Sequence, residues 1–210
     1  MAVGLSFGLP AAPLSMSLKP LVLETTRLLL RPYQATDAAD FFALLDQNRE
    51  RLQASFPDRL RSVPTLEATP TQLAAFADDW RTGRFYVFGI WHLTSQAYLG
   101  DICLMPQRAG QAEIGYYLAP EAEGQGYARE ALAAITLFGF EQVGVERLLI
   151  RCFADNVRGQ QVAQSQGFQL QDQTPTPEAL PRLRFSFWDS RPRQPPILYF
   201  VRTKHTARPS

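Results

Sequence analysis

The sequence predicts an α/β (α+β) protein built on a single mixed, mostly antiparallel sheet covered by helices, and three observations carry that expectation. Apolar residues recur at helical spacing in some segments and as aromatic or β-branched runs in others, so both element types are present. Successive strand-like runs are separated by short polar turns, which implies antiparallel hairpins. One helical stretch stands between two strand-like runs, and such a crossover implies a parallel pair.

The elements follow in chain order. Residues 1–20 read as a disordered arm: they lack a positively charged start, and Gly4, Gly8, Pro10 and Pro13 interrupt any signal-peptide core. Leu21 to Tyr33 reads as one strand around Leu28-Leu29-Leu30, closed by Pro32. Asp37 is placed to cap a helix carrying Ala38, Phe41, Phe42 and Leu45, fading near Leu52. Thr69-Pro70-Thr71-Gln72 offers a cap, a proline in the first turn and a capping-box glutamine. Leu73, Phe76, Ala77 and Trp80 give that second helix its apolar stripe, and Gly83 suits its end. Phe85 to Trp91 and Tyr98 to Leu104 form a hairpin across Thr94-Ser95-Gln96. A turn at Arg108-Ala109-Gly110 leads to the run Glu113 to Leu118, which Pro120 stops.

Ala128, Ala131, Leu132, Ile135 and Phe138 then mark a helix ending near Gly144. Arg147 to Phe153 is a strand, Asn156 to Gln166 a short helix stopped by Gly167, and Phe168 to Gln171 another strand. Thr174 to Pro196 holds six prolines and reads as an irregular arm with a short strand at Arg184 to Trp188. Ile197 to Val201 is the last strand, so one domain is expected over 21–204, with a disordered tail at 205–210.

Composition removes several function classes. A net charge of +1 argues against a nucleic-acid protein, whose domains carry a clustered basic excess. No apolar run approaches the roughly 20 residues that span a bilayer, so no membrane partner is expected. The two cysteines, Cys103 and Cys152, both fall in strand-like runs and read as buried thiols of a reducing cytoplasm. His92 and His205 make no ligand pattern with them, so no metal is expected.

The most informative stretch is Gly115 to Leu132: a strand, a short loop, Glu123-Gly124-Gln125-Gly126-Tyr127, and a helix. Glycine at two of these positions permits φ > 0 and a close backbone approach. The free N–H groups of the following helix and its dipole favour an anion, and a pyrophosphate satisfies both. Two glycines before a helix also commonly do no more than turn the chain. No Gly-Lys-Ser/Thr follows, and Arg129 stands where a dinucleotide fingerprint needs glycine.

Several pieces together resemble the GNAT superfamily of N-acetyltransferases, and within it the ribosomal-protein N-terminal (Rim type) branch. They are Glu24 to Arg31, Glu113-Ile114-Gly115-Tyr116, Gly124 to Ala131, and Asn156 with Gly167-Phe168. The resemblance spans about residues 21–172 plus the last strand. It implies an acyl-CoA N-acyltransferase fold, in which the central parallel pair splays to admit acetyl-CoA as co-substrate. By match, Tyr116, Tyr117 and Leu118 would lie along the pantetheine arm. Ala122, Glu123, Gly124, Gln125, Gly126 and Tyr127 would wrap the pyrophosphate, with Ala128 and Arg129 just inside the helix. Arg129 could equally be a solvated helix residue. Asn156 would sit beside the leaving sulfur, and is also a good helix cap.

The implied reaction is direct attack of an amine on the thioester, the acceptor being a protein N-terminus or a small amine. It needs a base for the amine proton, for which Glu113 is the candidate, and an acid for the thiolate. Two positions depart from the family pattern: Glu121 stands in place of an arginine or glutamine, and Gly159 in place of a serine expected to protonate the leaving group. The acid then falls to Tyr116, Tyr117 or water. Cys152 lacks a histidine partner by motif and reads as a core residue rather than a nucleophile. A CoA-binding protein without catalysis and a nucleotide-binding module stand as alternatives. The resemblance leaves a homodimer open. Acceptor contacts are expected from the first two helices, their Ser55–Thr69 connection and the proline-rich arm.

Overall fold

The computed structural model of the chain describes residues 21–171 and 195–204. The expected N-terminal arm, most of the proline-rich arm with its short strand, and the tail from His205 lie outside the described residues. Among the described residues eight strands make one sheet: β1 Leu23–Glu24, β2 Leu28–Arg31, β3 Tyr86–His92, β4 Tyr98–Gln107, β5 Gln111–Leu118, β6 Arg147–Phe153, β7 Gln169–Leu170 and β8 Ile197–Thr203. Their order is β1-β2-β3-β4-β5-β6-β8-β7. Every neighbouring pair is antiparallel except β5 and β6. The helices are α1 Ala38–Gln47, α2 Arg49–Leu52, α3 Pro57–Ser62, α4 Thr69–Thr82, α5 Tyr127–Phe138 and α6 Val157–Ser165. The mixed sheet with its single parallel pair, crossed over by α5, is the expected architecture.

The strand runs are apolar at nearly every position because both faces of the sheet are covered. Phe88, Ile90, Ile102, Leu104 and Ile114 pack on one face against Ala131, Leu132, Ile135 and Phe138 of α5. Val87, Cys103 and Tyr117 point the other way, to Phe41, Leu45, Leu60, Leu73 and Phe76 of α1, α3 and α4. Side chains alternate across a strand, so each strand feeds both layers. Full burial of a leucine, isoleucine or phenylalanine is worth about 1.5–3 kcal/mol, and Phe41, Phe88, Leu132 and Ile135 are all fully buried.

Local readings needed five corrections. The first run is two strands, not one: Thr25 N–H donates to Leu28 O at 2.9 Å and folds β1 back on β2. Asp37 does not cap α1 through its side chain. Its carboxylate takes a two-pronged bond from Arg31 at 2.7 and 2.9 Å and the Gln34 N–H at 2.6 Å, so both oxygens are engaged there rather than at the first N–H groups of α1. Thr69 lies inside α4, donating its hydroxyl to Thr65 O at 3.2 Å, and Ala77 is exposed rather than part of the stripe. The Ser55–Thr69 connection contains α3, begun by Pro57 in its first turn, a signal available in the sequence. Gly83, with φ 69°, closes α4 as expected.

Candidate active site

β5 and β6 pair from Gln111 opposite Arg147 to Ile114 opposite Ile150, and no further. β5 then stays on β4 as far as Leu118, while β6 stays on β8 as far as Phe153. Each strand follows its other neighbour, so the two diverge and the backbone of residues 115–118 turns one edge to an open gap. A cleft of about 630 Å³ occupies this region, lined by Glu113, Gly115, Tyr116, Cys152 and Asn156 among others. On the side of α3 and α4 it is continued by Phe56, Arg59, Phe76 and Phe85.

The glycine turn lies between β5 and α5. Gly124 and Gly126 both take left-handed backbone, at φ 75° and 82°. A Cβ on Gly124 would meet no heavy atom within 4 Å, so the protein does not fill the space in front of it. α5 opens directly behind, and its first N–H groups have no partner within the helix. Open space, positive φ and unpaired donors together fit an anionic group such as a pyrophosphate.

What holds the turn is a contact between two of the motifs noted in the sequence. Arg27 donates to Gln125 O at 2.9 Å and to Glu130 Oε2 at 2.8 Å. Its own N–H and the Thr25 hydroxyl donate to Glu130 Oε1 at 2.8 and 2.6 Å. Partial burial works to raise the Glu130 carboxyl, but the bonds from Thr25 and Arg27 prevail and hold it below the usual carboxylate range. Glu123 is engaged by Arg51 of α2 and, at 3.2 Å, by Arg158 of α6. Arg51 also donates to Leu118 O at the end of β5. Ala122 and Tyr127 are buried in the core, so only their backbone can face a ligand, while Leu118 is buried and Ala128 partly so. Arg129 is exposed and makes no hydrogen bond among the described residues, consistent with either of its two readings.

Across the gap, Asn156 caps α6 by accepting the Gly159 N–H at 2.9 Å. A Cβ at position 159 would stand 2.7 Å from Asn156 Nδ2 and 3.0 Å from Cys152 Sγ. This site therefore has no room for a serine unless Asn156 moves. Cys152 donates to Asn156 O at 3.5 Å, and burial, with Asp155 nearby, pushes its thiol up. Tyr116 lines the cleft with its phenol raised by burial and by the neighbouring Cys152, so it stays protonated near neutral pH.

Tyr117 points to the opposite face and does not line the cleft. Its hydroxyl donates to buried Asp101 at 2.9 Å, in a cluster with Tyr33, Tyr98 and Arg59. Burial pushes the Asp101 carboxyl up, opposed by Arg59 and the two phenols that bond it. Glu113 does reach the cleft, on the α3 side. It accepts Arg151 Nε at 2.5 Å and Gln107 Nε2 at 3.2 Å, with its side chain 12% exposed. Sequence reasoning missed Arg27–Glu130 as a unit, Arg51, and the Arg59 cluster.

Residues 27–169 match the family model described as an acetyltransferase (GNAT) domain. Among curated proteins the chain is similar to the uncharacterized N-acetyltransferase YoaA of Bacillus subtilis (strain 168), 27% identical over 150 residues, 70% of this chain and 82% of that one. Among solved structures it is similar to RimL, a ribosomal L7/L12 alpha-N-protein acetyltransferase in complex with coenzyme A. The TM-score is 0.70 at 19% identity, covering 87% of this chain and 98% of that one. The ribosomal-protein-S5-alanine acetyltransferase from Vibrio fischeri gives a TM-score of 0.72 at 16% identity, covering 90% and 100%. At these identities the structural likeness is one of fold.

Proposed function

The chain belongs to the GNAT acetyltransferase family and is an acyltransferase, and from that premise we propose that it passes the acetyl group of acetyl-CoA directly to a primary amine, either a protein N-terminus or a small amine. The observation that carries this reading is the divergence of β5 and β6 after Ile114 and Ile150, with an open glycine turn at the end of β5. A groove with a free strand edge on one side and an anion site at its mouth suits a long amide-bearing thiol ester with a pyrophosphate. That RimL was solved with coenzyme A supports the same occupant.

When bound, acetyl-CoA supplies an activated acyl carbon and a thiolate leaving group. Residues 124–129 hold the phosphates, residues 116–118 present backbone to the amide arm, and Asn156 stands near the sulfur end. Glu113 takes the amine proton, directly or through one water. A backbone N–H on the β5 edge stabilises the charge that grows on the acyl oxygen. Tyr116 lines the cleft, and it or a water returns a proton to the sulfur, the role left open by Gly159. Two unpaired, buried cysteines suit a reducing cytoplasm.

Thiol release from acetyl-CoA, measured with a panel of amines, tests the reading. Glu113→Gln should keep CoA affinity but lower turnover by about 10²–10⁴-fold. Melting temperature on the same sample separates this from lost pairing with Arg151. A normal rate from a less stable protein would dismiss Glu113 as the base, and CoA binding without thiol release from any amine would overturn direct transfer.

A further inference from the structure

Two arginines meet one carboxylate where the cleft and the glycine turn adjoin. Glu123, the residue before Gly124, is engaged at one oxygen by Arg51 of α2 and at the other, at 3.2 Å, by Arg158 of α6. Among the described residues neither guanidinium has a second carboxylate, so two positive charges share one negative charge. Arg51 also donates to Leu118 O. Ala119 turns its N–H to Leu99 O of β4, at 2.8 Å. Successive residues of a strand turn their polar groups to opposite sides, so Leu118 O faces the gap.

The three side chains therefore cross the groove from one lip to the other, with α2, the end of β5 and the turn on one side and α6 on the other. The open cleft is lined on β5 only as far as Tyr116, and on α6 by Gly159 behind Asn156. Arg51 stands beyond that limit, between the cleft and the turn, on the stretch where an extended thioester arm has to run. The crossing is weakly held. Arg51, Glu123 and Arg158 keep 40%, 34% and 84% of their side-chain surface in water, and ion pairs so exposed contribute little. A pyrophosphate brings more negative charge and more acceptor oxygens than one carboxylate, and guanidinium forks bind it well, so it can displace Glu123 from both arginines.

Resting on the acetyl-transfer reading, we propose that Glu123 is a stand-in for the cofactor's phosphates: it holds Arg51 and Arg158 across the groove mouth in the free protein and yields both to the phosphates when acetyl-CoA binds. The arginines are in this way placed before the ligand arrives, and the strap opens for a ligand that carries phosphate. Glu123 therefore weakens CoA binding, although it orders the two residues that serve it.

The test is a double-mutant cycle on the affinity for CoA, measured by calorimetry at low salt for the wild type, Glu123→Gln, Arg158→Gln and the double variant. Glu123→Gln should bind CoA about 3- to 10-fold more tightly, because the phosphates no longer have a carboxylate to displace. Arg158→Gln should weaken binding more in the Glu123→Gln background than in the wild type, where the attraction of Arg158 for phosphate is offset by its leaving Glu123. Thermal unfolding without CoA gives the second readout: Glu123→Gln should be no more stable than the wild type, so that tighter binding does not come from a firmer fold. Unchanged or weaker CoA binding in Glu123→Gln would make Glu123 a structural brace of the turn and overturn the proposal. Equal losses for Arg158→Gln in both backgrounds would overturn the exchange as well. A wild type that binds no CoA would instead sink the acetyl-transfer reading itself.

Discussion

Replacing Gly124 with alanine separates backbone strain from ligand contact. At φ 75° an alanine is strained whatever its surroundings, at a cost of about 1–2 kcal/mol. For a domain of this size that lowers the melting temperature by about 2–8 °C. No protein atom would touch the new methyl, so packing adds nothing to this figure. If CoA phosphates approach the turn, however, the methyl occupies their path. At a CoA concentration of about 100 times Kd, the wild type gains about 2.7 kcal/mol, or roughly 5–11 °C. A tenfold weaker Kd reduces that gain to about 1.4 kcal/mol, half the shift. Thermal unfolding of both proteins with and without CoA measures the two effects separately. Gly126→Ala is the less clean probe, since its Cβ would meet Arg27 Nη2 at 3.4 Å and disturb the anchor as well. A CoA-induced shift as large in Gly124→Ala as in the wild type would refute the placement of the phosphates at this turn.

Two further outcomes are expected. Cys152→Ala should keep most of the turnover, because burial and the nearby Asp155 hold the thiol in its protonated form; ping-pong kinetics or an acetyl group trapped on Cys152 would contradict this. Glu130, whose carboxyl is held below its ordinary value of 4.5, contributes stability that is present above that value and lost as pH falls through its lowered titration. The melting temperature of the wild type should therefore exceed that of Glu130→Gln at pH about 7, and the gap should close below pH about 4.5; a gap independent of pH would mean that the charge plays no part in the anchor.

Much of the architecture was legible in the residues, because the signals involved are local. The aromatic and β-branched runs from Phe85 to Leu118, the polar turns between them, and the stripe Ala131, Leu132, Ile135 and Phe138 state their periods within a few residues. The same holds for Gly83 and Gly144, which need left-handed backbone to end their helical segments, and for the double-glycine turn before α5. Where a local signal met a distant competitor it misled. Asp37 reads as a helix cap until Arg31 claims its carboxylate, and Thr25 to Arg27 reads as mid-strand until Glu130, more than a hundred residues on, gathers three donors there. The tertiary structure alone decided which face each β5 side chain takes in the site. It sends Tyr117 to a buried carboxylate and Tyr116 to the cleft, and within the Ser55–Thr69 connection it selects Arg59 to line the same space. No spacing encodes such meetings, because a charge finds its partner only after strands and helices have packed, and the low dielectric of the packed interior then makes that partner decisive.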